Sequence, residues 1–325
     1  MRLPYDAAMT RELHVVESDA DYERFLAIRN AVDPRPLTLA GYRAERTAAL
    51  ATLDLLATVD GRDVGAGMAG WGSISADAGV TYLDVWVIPD ARRQGVGGAL
   101  LDRLVAFARQ HGLERAHAAV VDGDAASLDF AVRRGLAVEG AGQLGHLTIT
   151  SAHAGDLPTM PDGLEIVSLG DRRDLERDVY DLEMAVKPEV PAMADEPDPP
   201  FASWQADLSG DPGFLPALSL LALVDGRLAG AIHVYDNADD AVFIGMTAVH
   251  PRARRRGIAR LLKTELARRA AAAGIRRIET YNDGTNERIR ALNESLGYEY
   301  QPRLLLLKGP LPPERSAGSA APPGR

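Results

Sequence analysis

The chain reads V-I-P-D-A-R-R-Q-G-V-G from Val87 to Gly97, and V-H-P-R-A-R-R-R-G-I-A from Val249 to Ala259. The second stretch starts 162 residues after the first (249 against 87). In each, an apolar run ends at a proline and turns through arginine and glycine into a stripe with helical spacing. That stripe is Leu100, Leu101, Leu104, Val105 and Ala108 in the first copy, and Ile258, Leu261, Leu262 and Leu266 in the second. Two more matches flank the turns. V-D-G-R-D-V-G at Val59 recurs as V-D-G-R-L-A-G at Val224, and R-R-G-L ending at Leu136 aligns with S-L-G-Y ending at Tyr298. Three anchors in one order at a nearly constant offset indicate a duplicated domain.

The 325 residues suit two such domains, each able to bury a core. A composition of 46% hydrophobic and 25% charged residues is that of a globular protein. There is no cysteine, which excludes disulfides, zinc-thiolate sites and thiol nucleophiles. With 36 basic against 46 acidic residues the net charge is −10, so no broad grip on nucleic acid or anionic lipid is expected. The stretch Met1 to Thr10 has no apolar h-region, and no apolar run reaches the ~20 residues that span a bilayer. A soluble cytoplasmic protein is expected, as a monomer or homodimer.

Both copies read alike. The first has a strand over 13–17, helices over 20–32 and 37–50, and a hairpin through Asp60-Gly61. An apolar strand over 80–88, the turn and its helix, a strand over 116–121, a helix over 125–134 and a hairpin ending near Thr150 follow. The second copy places strands over 164–168, 219–224, 228–235, 241–249 and 277–282, with a helix over 285–296. The expected division is 1–152, a linker over 153–163, a second domain over 164–308, and a tail over 309–325 that lacks apolar periodicity and reads as disordered.

A strand, a proline and a glycine turn at a helix start form an anion site, because the first-turn N–H groups have no intrahelical partner. Flanking arginines add charge. The plainer alternative is a tight turn with a solvated face. A Rossmann G-x-G-x-x-G turn fits poorly, since Gly95-Val96-Gly97-Gly98-Ala99-Leu100 lacks the last glycine and falls mid-domain.

The pattern Arg92-x-x-Gly95-x-Gly97, with Arg254-x-x-Gly257-x-Ala259, resembles the acetyl-coenzyme A signature of the GNAT acetyltransferase superfamily. The resemblance covers both halves and implies an α/β (α+β) chain of two tandem GNAT folds, each a mixed, mostly antiparallel sheet flanked by helices. It implies that the pantetheine arm of acetyl-CoA pairs with the strand before the turn, and that the pyrophosphate sits on the turn. In the second copy that assigns Met246, Thr247, Ala248, Val249, Arg254, Arg255, Arg256, Gly257, Ile258 and Ala259. In the first it assigns Val85, Trp86, Val87, Arg92, Arg93, Gly95, Val96 and Gly97.

Downstream, T-Y-N-D-G-T-N-E-R-I-R-A-L-N-E-S-L-G-Y (Thr280 to Tyr298) holds Asn282, Asn286 and Asn293, which the resemblance assigns to the cofactor's thiol end. Asn282 and Asn286 read equally well as a strand-end turn and a helix cap. Asn293 lies beside Ile289, Leu292 and Leu296, where an unpaired amide is costly, so a partner or ligand is expected. The family's usual acid, a Tyr four residues before the glycine, is Ala131 in one half and Asn293 in the other. The seven histidines show no metal-ligand spacing, and His250 reads as a turn residue.

The expected activity is N-acetyl transfer from acetyl-CoA to a primary amine of a small molecule, by direct attack in a ternary complex. An amine with pKa near 10.4 must lose its proton, at a cost of about 4–5 kcal/mol at pH 7, so a base is needed. Asp84, Glu279 and Tyr281 are the strand candidates, and the catalytic set is Glu279, Tyr281 and Asn293. The whole chain is similar to tandem GNAT enzymes of the mycothiol synthase type, in which the C-terminal half does the chemistry. The alternatives are a non-catalytic acyl-CoA-binding or scaffold protein, or an enzyme acetylating a protein amine. The Pro-rich stretch from Lys187 to Phe201, with Glu189, Asp195, Glu196 and Asp198, is a candidate cover for a cationic acceptor, whose apolar part would pack on Met193 or Trp204.

Overall fold

The repeat in the sequence returns as a repeat of elements in the computed structural model, which describes residues 10–47, 50–71, 79–155, 162–190, 197–237, 240–284 and 286–313. The first copy runs β1 (Arg11–Val15), α1 (Asp19–Val32), α2 (Leu39–Thr47), β2 (Ala51–Val59), β3 (Arg62–Trp71), β4 (Val80–Val87), α3 (Val96–Gln110), β5 (Arg115–Val121), α4 (Ala125–Val132) and β6 (Ala137–Thr148). The second runs β7 (Leu164–Ser168), α5 (Glu176–Val186), α6 (Phe201–Gly210), β8 (Leu220–Val224), β9 (Arg227–Asn237), β10 (Ala241–Val249), α7 (Ile258–Ala272), β11 (Arg277–Asp283), α8 (Glu287–Glu294), β12 (Glu299–Tyr300) and β13 (Leu304–Pro310).

Local chemistry accounts for much of this. Asp60 and Gly61 (φ 50° and 78°), like Asp225 and Gly226 (φ 49° and 75°), both take the left-handed region, as two-residue hairpin turns of the primed type require. Ser18 starts α1 with a capping box to Asp21. Within each unit the strands pair antiparallel except at one step: β4 pairs with β5 in parallel over Val80–Tyr82, and β10 with β11 over Ala241–Ile244.

In the second unit, side chains alternate between two cores. Leu220, Ile232, Val234 and Val242 pack under α7 with Leu262 and Leu266. Leu221, Leu223 and Ala231 pack under α5 and α6 with Val179, Leu182, Trp204 and Leu208. A cβ on Gly230 would stand 2.8 Å from Ile258 Cγ2, so the missing side chain is what lets α7 lie on β9.

The chain folds into two compact units that do not follow it linearly: one draws on 1–141 and 302–325, the other on 142–301. The reason lies in the final strands. From Gly142 onward β6 pairs with β11 and β12, so the first copy's last strand belongs to the second unit. In return β13 pairs with β5 in the first unit, Leu304 opposite Val121 and Pro310 opposite Arg115. The repeat boundaries 1–152 and 164–308 therefore mark sequence copies, whereas the compact units exchange a strand. Order also extends past Lys308: Leu311 is buried in the first unit's core and Arg109 Nη2 donates to the Pro312 carbonyl at 2.8 Å. The rest of the expected tail, 314–325, lies outside the described residues, as does 156–161 of the expected linker.

Candidate active site

The arginine-glycine turn takes the same backbone path twice. Arg93 and Gly95 have φ 65° and 82°, and Arg255 and Gly257 have φ 62° and 76°. A left-handed arginine is strained, and such strain persists where the surroundings impose it. Here it curls successive N–H groups into a concave nest at the start of α3 and α7. In both copies an arginine Nε ties the turn to the end of its strand: Arg92 to the Val87 carbonyl at 3.1 Å, and Arg254 to that of Val249 at 3.2 Å.

Only the second unit bulges the strand that leads in. The β9–β10 register shifts between Ile244 and Met246, whereas β3 and β4 pair without a shift. One residue of bulge reverses the alternation. Val242 and Ile244 belong to the core under α7, but Met246 and Ala248 to the core under α5 and α6. The parallel pairing with β11 ends at the same place, so beyond Ile244 the only described strand paired with β10 is β9.

A cavity of about 530 Å3 opens there. Thr247, Ala248 and Val249 of β10 line it with Arg254, Arg255, Gly257, Ile258 and Ala259 of the turn, and Asn286, Ile289 and Leu292 lie beside them. Arg260 and Arg288 add positive charge, and Glu189 with Val186 and Val190 comes from the end of α5 and beyond. Glu189 pairs with Arg254 through both oxygens, at 2.8 and 2.9 Å. Met246, Arg256, Asn282 and Asn293 do not line this cavity.

Side chains crowd the first copy's turn. Phe130, where the second copy has Leu292, comes within 3.6 Å of the Cβ position of Gly97, and Arg134 stacks on its ring at 3.4 Å. Arg92 lies 3.5 Å from Asp124, which replaces Asn286 of the second copy. Burial would raise the Asp124 carboxyl, but the Ser127 N–H, its hydroxyl and Arg92 outweigh that and hold it low. An ionised carboxylate beside the turn opposes a phosphate. Val85, Trp86, Val87, Arg93 and Val96 thus belong to a turn with the same backbone path and different side-chain neighbours.

Asn293 is 0% exposed. Its Nδ2 donates to Asn282 Oδ1 at 3.0 Å and to Tyr300 Oη at 2.8 Å, and the Tyr300 hydroxyl donates to Asn282 Oδ1 at 2.7 Å. Asn293 Oδ1 has no hydrogen-bond partner. Asn286 caps α8, its Oδ1 accepting from the Ile289 N–H at 3.3 Å, and also lines the cavity. The other catalytic candidates are not gathered here. Glu279 is held by Asn237 Nδ2 at 2.8 Å and by Arg277, and Tyr281 is 39% exposed and lies over Gly142. Positions 279 and 281 fall on the opposite face of β11 from Asn282. Asp84 lies in the first unit, its carboxyl lifted above the ordinary range by burial.

Sequence reasoning missed a buried pair. Glu183 of α5 sits one helical turn before Val186, and His233 of β9 is opposite Met246 at the bulge. Glu183 Oε1 and His233 Nδ1 are 3.3 Å apart without hydrogen-bond alignment, while Trp204 Nε1 donates to Glu183 Oε2 at 2.8 Å. Phe214 and Trp204 enclose the imidazole. Burial pushes the Glu183 carboxyl up to about 7, against the Trp204 bond, and pulls the imidazole down to about 4. The available signal was a histidine inside the apolar run A-I-H-V-Y.

The acceptor-loop expectation changes with these contacts. Trp204 is buried and bonded to Glu183, Glu189 is taken by Arg254, and Asp198 accepts from Lys187 Nζ at 2.8 Å. Met193, Asp195 and Glu196 lie outside the described residues.

The model of the acetyltransferase (GNAT) family matches residues 12–136 and 177–298. A mycothiol acetyltransferase from Catenulispora acidiphila is 29% identical over 241 residues, 69% of this chain and 70% of that protein. An acetyltransferase of Sodalis glossinidius is 31% identical over 144 residues, 44% of this chain and 84% of that protein. Among solved structures, a GCN5-related N-acetyltransferase from Sphaerobacter thermophilus gives a TM-score of 0.70 at 18% identity, covering 93% of this chain and 96% of its own. A tandem GNAT protein from the clavulanic acid biosynthesis pathway gives 0.64 at 22% identity, covering 94% and 99%. These two likenesses speak to the fold.

Proposed function

Because the chain belongs to the acetyltransferase (GNAT) family and is an N-acetyltransferase, we propose that its C-terminal unit transfers acetyl from acetyl-CoA to a primary amine of a small molecule by direct attack in a ternary complex. The observation that carries this reading is the cavity at the Arg254–Gly257 turn beside the bulged strand. Its residues fit the donor: a nest of N–H groups with Arg255 beside it suits a pyrophosphate, and the unpaired edge of Thr247–Val249 suits an amide-bearing arm. When bound, acetyl-CoA supplies the thioester carbonyl that an amine attacks and the thiol that leaves. The likeness to a mycothiol acetyltransferase supports a small-molecule acceptor.

On this reading Glu183, one helical turn from the cavity-lining Val186 and not itself in the lining, takes the amine's proton through a water. A carboxylate poised near 7 is ionised to a useful extent at neutral pH and basic enough to accept a proton, unlike a solvated one near 4. Trp204, which donates to Glu183 Oε2, orients it, and His233 beside it is kept neutral by burial. Tyr300, whose phenol burial raises, is the O–H that Asn282 and Asn293 hold beside α8, and it serves as the proton donor that neither copy has at the usual position. The first unit, its turn crowded by Arg11 and Phe130 and flanked by Asp124, is structural. No helix among the described residues is long and apolar enough to cross a membrane, and the reading extends to a cytoplasmic monomer or homodimer that binds no nucleic acid.

The test is thiol release by the full chain across a panel of small amines, alongside calorimetric titration with acetyl-CoA. Arg255→Glu should abolish donor binding and turnover, and Arg93→Glu should leave both. The reverse pattern would assign the chemistry to the first unit, and binding without thiol release from any amine would favour a non-catalytic acyl-CoA-binding protein.

A further inference from the structure

A second cavity of about 170 Å3 lies along α7 and shares no lining residue with the first. Lys263, Thr264 and Arg268 of α7 line it, with His153 and Tyr298. Lys263 is 1% exposed and Tyr298 4%, yet neither the Lys263 Nζ nor the Tyr298 Oη has a hydrogen-bond partner. The ammonium stands 5.3 Å from the centre of the Tyr298 ring. Buried polar groups are ordinarily satisfied, and an exception calls for a reason.

The fold does not need either group. At the equivalent positions, 162 residues earlier, the first copy has Leu101 and Leu136, both buried in its core. Two core leucines thus correspond to a lysine and a tyrosine that both line this cavity and whose amine and phenol are buried at it without a hydrogen-bond partner. We propose that this cavity is a binding site for a small organic monocarboxylate, its oxygens held by Lys263 Nζ and Tyr298 Oη and its short apolar part against Leu147 and Leu296.

Size and charge choose the ligand class. At about 30 Å3 per water, the space suits a molecule of roughly five heavy atoms. Lys263 is the cation without a partner here: Arg268 is held by Glu265 at 2.7 and 2.9 Å, a carboxylate it shares with Arg269, and His153 Nδ1 accepts from the Thr150 N–H at 3.1 Å. A single ammonium with an apolar wall favours a monoanion with a carbon chain over phosphate. Burial pulls the Lys263 ammonium down to about 7, so a bound carboxylate should recharge it and affinity should fall about tenfold per pH unit above that. The other titratable groups facing it are His153, Tyr298 with Tyr300 beyond it, and the Arg268–Glu265 pair.

The chain has three lysines, 187, 263 and 308, so 13C-lysine labelling gives three ε-carbon signals. In the full-length protein the Lys263 signal should titrate near 7 and move saturably with propionate at pH 6. Lys263→Leu and Tyr298→Leu, which restore the first copy's residues and should fold, should each weaken propionate binding by about tenfold or more in calorimetry. The proposal is overturned if propionate gives no saturable shift, if chloride or phosphate shifts the signal equally, or if either leucine variant binds propionate unchanged. Donor binding at the turn is measured separately with acetyl-CoA, so failure here leaves the reading of the first cavity standing.

Discussion

Arg254 and Glu189 form a two-pronged ion pair, Nη1 to Oε2 at 2.9 Å and Nη2 to Oε1 at 2.8 Å, that ties the segment after α5 to the turn before α7. The pair is partly solvated, 35% and 56% exposed, so it stabilises little. Its effect is to occupy a cation that a phosphate would use. Glu189→Gln should therefore strengthen acetyl-CoA binding about two- to fivefold at low salt, the gain shrinking as salt screens the phosphates. Calorimetry across a salt series reads this, and weaker binding would mean that Glu189 positions Arg254 and does not compete for it.

Removing the carboxylate that is proposed as base should separate activity from stability. Glu183→Gln should lower kcat/KM by about a hundredfold or more and remove an acidic limb near pH 7 from the rate profile. Its stability effect has the opposite sign. A carboxyl raised in the folded state favours the folded protein at low pH and loses that advantage as pH rises from about 4.5 through 7. At pH 8 the variant should be the more stable protein, by about 3 kcal/mol in denaturant unfolding.

Lys263 reverses that logic. An amine depressed to about 7 in the folded state gives stability that is present above its unfolded value of 10.5 and is lost as pH falls toward 7. Thermal unfolding of Lys263→Met should show an advantage over the natural chain that grows from pH 10 to pH 7 and is level below, at about 5 kcal/mol. An advantage that does not vary with pH would mean that packing, and not charge, is what the lysine costs.

The two turns can be told apart with one substitution. Gly95 and Gly257 both cap a helix in the left-handed region, so Gly95→Val and Gly257→Val should each cost at least about 1–2 kcal/mol. Only Gly257→Val should weaken acetyl-CoA binding in a calorimetric titration of the full chain.

Much of the fold was legible because its signals are short-range. The Asp60-Gly61 turn, the stripe of Leu100, Leu104 and Val105, and the proline that ends each central strand are decided within a few residues of themselves. The turn of the site was legible for the same reason, since a left-handed Gly257 at a helix start is written locally. The bulge at Gly245 was not, because β-branched and small residues pair equally well in register or out of it until the strands on either side are placed.

The sequence by itself determined that a domain is present twice, where each arginine-glycine turn lies and which face of each helix is apolar. Tertiary structure alone decided that β6 pairs with β11 while β13 pairs with β5, that Phe130 packs at one turn while a cavity lies at the other, and that Glu183 meets His233 and Lys263 stands without a hydrogen-bond partner beside Tyr298. The physical reason is range. Turn chemistry and helical periodicity act between neighbours, whereas strand partnership and the burial of a lone charge depend on groups far apart in sequence, brought together only by the packed core.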